Sequence, residues 1–181
     1  AKEHTELFFF VTRVGCGIAG YHDDEMAQFF KDALEQKNVS LPKSFVDALI
    51  GGEVNYDLER SPKAQRSGWA TYSEALSEIK EGHKRGHWIW YVFPQIKGLG
   101  HSYNSEFYGV SSKDEAKAYL EHPELGKRLR EITKALLNCN NPSAFNILGF
   151  PDVLKVQSCM TLFDLVSPND IFNEVLEKYY E

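Results

Sequence analysis

Between His83 and Gly100 the chain reads HKRGHWIWYVFPQIKGLG. Lys84, Arg85 and two histidines run directly into Trp88, Trp90, Tyr91 and Phe93. A buried face has no use for Lys or His, and a surface has none for two tryptophans. On a helix, Lys84, His87, Trp88 and Tyr91 share one face. That mixture suits a pocket, where aromatic walls stack a flat ligand and a few polar groups orient it. Gln95, just past Pro94, adds an amide, and Gly98 and Gly100 allow a loop to close over it. His87 is the candidate catalytic acid or base, because imidazole titrates near neutrality. A plainer reading makes Trp88 and Trp90 core residues, with Lys84 and Arg85 covering a surface.

A second stretch, LKVQSCMTLFD from Leu154 to Asp164, extends the first reading. Val153, Val156, Met160 and Phe163 fall on one helical face. Gln157, Ser158, Thr161 and Asp164 lie opposite, with Leu154 and Leu165 among them. A helix apolar on one side and mixed on the other is expected to be buried on both. Its hydroxyls and Lys155 must then find partners, a ligand among them. The ligand-binding set is Lys84, Trp88, Tyr91, Gln95, Lys155, Ser158 and Thr161. In the alternative, Ser158 and Thr161 bond back to carbonyls of their own helix and Lys155 is exposed.

Other chemistries find little support. Cys159 sits beside the apolar face as a buried thiol. No G-x-S-x-G elbow is present. His83 and His87 are spaced i, i+4, but no HExxH glutamate lies between them, so no metal site and no cofactor are expected. The formal net charge of -6 argues against general nucleic-acid binding and against anionic membranes. Cys16, Cys139 and Cys159 show no paired spacing, which fits a reducing cytoplasm. No apolar run approaches the ~20 residues of a membrane span.

The elements that position these residues fall into two parts. Glu6 to Val14, ELFFFVTRV, has the aromatic and β-branched content of a buried strand. GCGIAG follows, then a helix capped by Asp23 or Asp24, with Met26, Phe29, Phe30 and Ala33 on its buried face. Asn38 to Leu41 reads as a short strand. A strand, a turn and a helix need a longer strand beside them. Residues 1–45 are therefore expected to be the truncated tail of an α/β domain, and 46–54 a linker broken at Gly51-Gly52. Gly15, Gly17 and Gly20 fit G-x-G-x-x-G and form a candidate phosphate loop; the alternative is a tight strand-to-helix turn. FFVTRVGCGIAGYHDDEMAQFF resembles the C-terminal part of a macro-domain-like module. That resemblance implies an ADP-ribose diphosphate loop at Gly17, Ile18, Ala19, Gly20 and Tyr21.

From Asn55 onward the pattern is mainly α, a multihelical domain with a single core over 55–181. Ser61-Pro62 opens a helix. Tyr72, Ala75, Leu76 and Ile79 stripe the next, closed by Gly82. Trp88 to Phe93 reads as a short buried helix. Ser111 or Ser112 caps another through Asp114 or Glu115. Leu125, Leu129, Ile132 and Leu136 stripe a helix after Pro123, and Ser143 caps a short one ending at Gly149. Asp152–Val166 and Pro168–Tyr180 complete the set. The stretches YDLER, KAQ, YSEALSEIK, HWIWYVFPQIKGLG, EAKAYLEHPELGKRLRE and KVQSCMTLF resemble the DUF1810 family, small all-helical bacterial proteins of unknown function. The chain departs from that family at Ser61-Pro62, where two apolar residues are usual, and at Gly86, where serine is common. The resemblance implies an all-α fold and no activity. Two function classes remain: a domain binding or processing a nucleotide-like small molecule, for which the macro-like resemblance implies ADP-ribose or another NAD-derived ligand, and a non-catalytic interaction module, homo-oligomeric or with a partner protein. The second would use an aromatic patch of Tyr103, Phe107, Tyr108, Tyr179 and Tyr180.

Overall fold

The computed structural model describes residues 7–16, 21–50, 56–67 and 69–181. It divides into two compact units, Ala1–Asn55 and Tyr56–Glu181.

In the first unit, strands β1 (Phe9–Phe10) and β2 (Val39–Ser40) pair in parallel, Phe9 opposite Val39. Helix α1 (Asp23–Ala27) lies between them in sequence and tightens into a 3-10 turn over Gln28–Ala33. Helix α2 (Lys43–Ile50) follows β2 and packs on α1, with Ala27 and Phe45 fully buried. Three expectations change. The strand expected over Glu6–Val14 shrinks to two residues, and Phe8 and Phe10 are exposed. Phe29 is 80% exposed rather than on a buried face, because three residues per turn rotate it off the α-helical stripe. Asp23 is the first helical residue, and Arg13 grips its carboxylate with bonds of 2.9–3.0 Å. Helix α2 also occupies much of the stretch expected as linker, whose Gly51-Gly52 lies outside the described residues. Gly15 has φ +77°; Gly17 and Gly20 of the candidate phosphate loop lie outside the described residues, as do Ile18 and Ala19. A parallel pair with a helix between its strands is common to many α/β folds and names none of them.

The second unit is helical. Its helices are α3 (Arg60–Ser67), α4 (Tyr72–Glu81), α5 (Ile89–Val92), α6 (Tyr103–Tyr108), α7 (Lys113–Glu121), α8 (Leu125–Leu137), α9 (Ala144–Leu148), α10 (Asp152–Val166) and α11 (Phe172–Tyr179). Their ends follow local chemistry. Thr71 and Glu74 form a reciprocal capping box on α4, and Gly82 ends it in the left-handed region at φ 76°. Ser102, Ser112 and Ser143 each accept a backbone N–H at the start of α6, α7 and α9. Ser61 and Pro62 do not cap α3; both are buried inside its first turn, where a missing N–H costs nothing. Helix α11 begins at Phe172, four residues later than the pattern suggested.

One core holds this unit together. The α8 stripe of Leu125, Leu129, Ile132 and Leu136 is fully or almost fully buried. It joins Ala75 and Ile79 of α4, Ala116 and Tyr119 of α7, and Val156, Cys159, Met160 and Phe163 of α10. Tyr119 and Phe172 flank Phe163 with ring centroids 5.3 and 5.6 Å away. Helix α10 is buried on one side only, since Leu154 and Leu165 are 50% and 61% exposed. No helix of the described residues is long and apolar enough to cross a membrane. Leu129→Ala should lower unfolding free energy by about 2–5 kcal/mol, and Leu154→Ala by less than about 0.5 kcal/mol. Urea unfolding of the two variants compares a core position with a surface one.

Candidate functional site

The aromatic segment is organised by a carboxylate. Glu78, in the last turn of α4, is buried. It accepts the backbone N–H of Arg85 at 2.8 Å, that of Gly86 at 3.0–3.1 Å, and the Trp88 indole N–H at 2.8 Å. Burial by itself would raise the Glu78 pKa; the N–H groups of Arg85, Gly86 and Trp88 outweigh it and hold the pKa below the ordinary glutamate value. Residues 83–88 are consequently not helical, and the shared face expected for Lys84, His87, Trp88 and Tyr91 does not exist. Trp88 is fully buried and Tyr91 is 5% exposed. The Tyr91 hydroxyl donates to the Ala70 carbonyl at 2.7 Å and accepts the Ala70 N–H at 3.3 Å. Gln95 is buried against Gly100, and its carbonyl accepts the Val110 N–H. His87 points to solvent, with no group to orient it.

Lys84 is spent within the protein. Its ammonium donates to the Gly86 carbonyl at 2.6 Å, meets Asp152 Oδ2 at 2.6 Å, and lies 4.9 Å from the Trp88 ring centroid. Asp152 Oδ1 takes Lys155 at 2.7 Å, and Lys155 covers the Trp90 ring at 4.7 Å. Asp152 thus ties the loop after α4 to the first turn of α10. Ser158 and Thr161 donate to the carbonyls of Leu154 and Gln157 in their own helix. The expectation that these hydroxyls are buried and in need of a ligand is corrected: the polar side of α10 faces outward, where back-bonding suffices. Gly86 also has a structural reason. A Cβ there would meet Trp88 Cδ1 at 2.8 Å and the Ala70 Cβ at 3.0 Å, so the chain has no room for a serine hydroxyl.

Two concave surfaces lie elsewhere; none of the expected catalytic or ligand-binding residues lines them, whereas Phe107 of the expected aromatic patch lines the second. One depression of 610 Å³ is bordered by Glu59, His122, Pro123, Glu124, Lys127, Arg128 and Glu131. Several of its charges are engaged: Glu124 pairs with Arg66 and Arg128, and Tyr72 donates to Glu131 at 2.8 Å. His122 Nδ1 accepts the backbone N–H of Glu124 and Leu125 and so serves as a helix cap.

The second depression, of 320 Å³, is lined by Tyr56, Asp57, Arg60, Lys97, Glu106, Phe107, Ser111 and Glu115. Here a buried ion pair joins α3 to α7. Arg60 Nη2 donates to Glu115 Oε1 at 2.5 Å, with side chains 9% and 4% exposed. Nη2 also reaches the Gly109 carbonyl at 3.0 Å, and Nη1 donates to the Asp57 carbonyl. Glu115 Oε2 accepts the Ser111 N–H and hydroxyl at 2.7 and 2.5 Å. Burial would raise the Glu115 pKa; Arg60 and Ser111 pull it below the usual range. Arg60 Nε is buried and has no acceptor. Lys97 forms no ion pair, and Phe107 is 40% exposed, stacked on Tyr103 at 5.5 Å. Arg60 and Asp152 were not legible as functional groups. Glu115 was legible only as a cap, although it shares an i, i+4 face with buried Tyr119.

Two outcomes test the Glu78 anchor. Glu78→Gln turns an amide toward N–H donors and should cost about 2 kcal/mol near neutrality. Because the folded-state pKa is lowered, the stabilisation is full above the unfolded pKa and fades as pH falls through the folded one. The variant should therefore show a flatter loss of stability below about pH 4.5, seen in melting temperatures across pH 2.5–7. Gly86→Ser should cost about 1–3 kcal/mol through overpacking, read from urea midpoints.

Comparison with known proteins agrees with the helical architecture. A solved structure of the conserved hypothetical protein Rv1873 from Mycobacterium tuberculosis is 44% identical, with a TM-score of 0.66, and the match covers 69% of this chain and 88% of that one. No curated protein matches. The family described as protein of unknown function, DUF1810, matches residues 55–181. With its helical unit matched end to end, the chain belongs to the DUF1810 family.

Proposed function

We propose that the helical unit binds a small planar, nucleotide-like molecule in the 320 Å³ depression beside Arg60. The observation that carries this reading is the lining: Phe107, 40% exposed, borders the same open concavity as the Lys97 cation and the buried Arg60–Glu115 pair. The rest of the lining suits a ligand. Phe107 and Tyr56 offer aromatic surface, Lys97 offers an unpaired cation, and the volume lies at the lower end of ligand sites, about 300–1,000 Å³. The Ser111 hydroxyl does donate to Glu115, but that carboxylate is paired with Arg60 and held below the usual range, which makes it a weak base, so the reading is binding rather than catalysis.

A second reading rests on α6. Tyr103 is 76% exposed and stacked on Phe107, with Leu99 59% exposed nearby in sequence. Exposed aromatics of this kind suit a protein interface. Tyr108, Tyr179 and Tyr180, expected in the same patch, are half-buried against the core, and the hydroxyls of Tyr179 and Tyr180 are bonded to backbone carbonyls.

Calorimetric titration with nucleosides, nucleotides, NAD and ADP-ribose separates the two. For any ligand that binds, Phe107→Ala should weaken affinity about 5–150-fold, the range for loss of one stacking contact. The melting temperature of the unliganded variant should stay within a few degrees. Binding that survives Phe107→Ala and Lys97→Ala unchanged would remove the depression from the reading. A concentration-dependent dimer in light scattering, lost in Tyr103→Ala, would favour the interface instead.

A further inference from the structure

We infer that His122 is a pH-dependent latch at the corner between α7 and α8: as neutral imidazole it caps α8, and on protonation it lets the cap go. The geometry fixes which nitrogen carries the proton. Nδ1 accepts the backbone N–H groups of Glu124 and Leu125, both at 3.3 Å. A nitrogen that accepts two N–H groups offers its lone pair to them, so the neutral ring carries its hydrogen on Nε2. Nε2 lies 3.7 Å from Glu59 Oε1. In the stretch HPEL, His122 thus stands where Ser, Thr, Asp or Asn stands at other helix starts, with Pro123 in the first helical position. Those side chains remain acceptors around neutrality; imidazole does not. A second proton goes to Nδ1 and turns the acceptor into a donor aimed at two other donors.

The surroundings give the charged ring another partner. The charged groups that share the 610 Å³ depression with it are Glu59, ahead of α3, and Glu124, Lys127, Arg128 and Glu131 of α8. Arg66 of α3 joins them through Glu124. Glu59, already beside Nε2, attracts an imidazolium, whereas the dipole at the start of α8 repels one. Protonation therefore exchanges a backbone cap for an ion pair with Glu59. The exchange reaches the rim of the depression. Glu124, whose N–H the neutral ring holds, carries the carboxylate that joins Arg66 of α3 to Arg128 of α8. The corner has little room to adjust around it, since a Cβ on Gly126 would collide with the Leu120 carbonyl. Loss of the cap is felt as loosening of the first turn of α8 rather than as a shift of the whole helix.

The test is NMR of the isotope-labelled 181-residue chain from about pH 8 to about pH 5, the span over which histidine changes charge. At the alkaline end the His122 ring should show the Nε2–H tautomer. The amide exchange rates of Glu124 and Leu125, each divided by the intrinsic rate at that pH, should rise about fivefold or more as His122 protonates, the factor for loss of one N-cap. Amides in the middle of α8 should not follow them. His122→Asn supplies an acceptor that does not titrate, and should keep both amides protected throughout. His122→Ala should leave both unprotected at either end of the range. An Nδ1–H tautomer at the alkaline end, a ring still neutral at the acid end, or exchange that stays level while the ring protonates would each overturn the latch, as would a pH response that His122→Asn retains.

Discussion

A carboxylate placed among N–H donors sets the course of the chain around the Trp88 segment. Glu78 is charged and buried, and a buried charge is tolerated only when hydrogen bonds replace its water. The donors come from Arg85, Gly86 and Trp88, all later in the chain. To bring them round, the backbone must leave α4 through the left-handed Gly82 and fold back over the end of the helix. Gly86 then lies against the Trp88 ring, and the indole enters the core with its N–H satisfied. Lys84 is carried inward by the same loop and finds Asp152, which fastens α10 to it. Several features that look independent in the sequence, a Lys-Arg pair, a glycine and a tryptophan, follow from one acid.

The same accounting separates structural polar groups from available ones. Gln65 donates to the Tyr91 carbonyl and accepts from Arg128, so its amide links α3, α5 and α8. Glu115 uses both oxygens. Groups of this kind fix which helix meets which, at a cost in desolvation that makes them poor sources of net stability. Trp90 Nε1, Tyr119 Oη and Arg60 Nε are buried without partners. Of the three, Arg60 alone belongs to a residue lining either depression described above. An orphan polar group in the core is a local cost.

Local chemistry was legible and long-range chemistry was not. The caps at Ser112 and Ser143, the glycine stops at Gly82 and Gly149 and the α8 stripe depend on residues within a turn or two of each other. The aromatic segment misled because its mixture of Lys, His and Trp was given one helix to share. Its polar members are instead sorted by tertiary partners: Trp88 goes in because Glu78 meets its N–H, and His87 goes out because nothing meets it. Glu78 follows Ala75 by three residues and precedes Ile79, next to the buried stripe of α4, yet a glutamate there reads as solvated surface until its donors are known. Arg60 was hidden for the same reason. Its partner Glu115 is 55 residues away, and the start of α3 is set by that pairing rather than by Ser61.

Aromatic rings therefore have two fates in this unit, decided by where their surroundings are satisfied. Trp88, Tyr91 and Phe93 lie where the Glu78 carboxylate meets the Trp88 N–H and the Ala70 backbone meets the Tyr91 hydroxyl, and they serve as core. Tyr103 and Phe107 lie on α6, where Lys97, Asp57 and Glu106 form no ion pair among the described residues. Apolar surface beside unbalanced polar groups is poorly served by water alone, since water can hydrate the charges but gains nothing from the rings. A molecule with a flat face and a polar edge satisfies both at once. Trp88 is thus core, and the rings of Tyr103 and Phe107 on α6 are among those left turned outward.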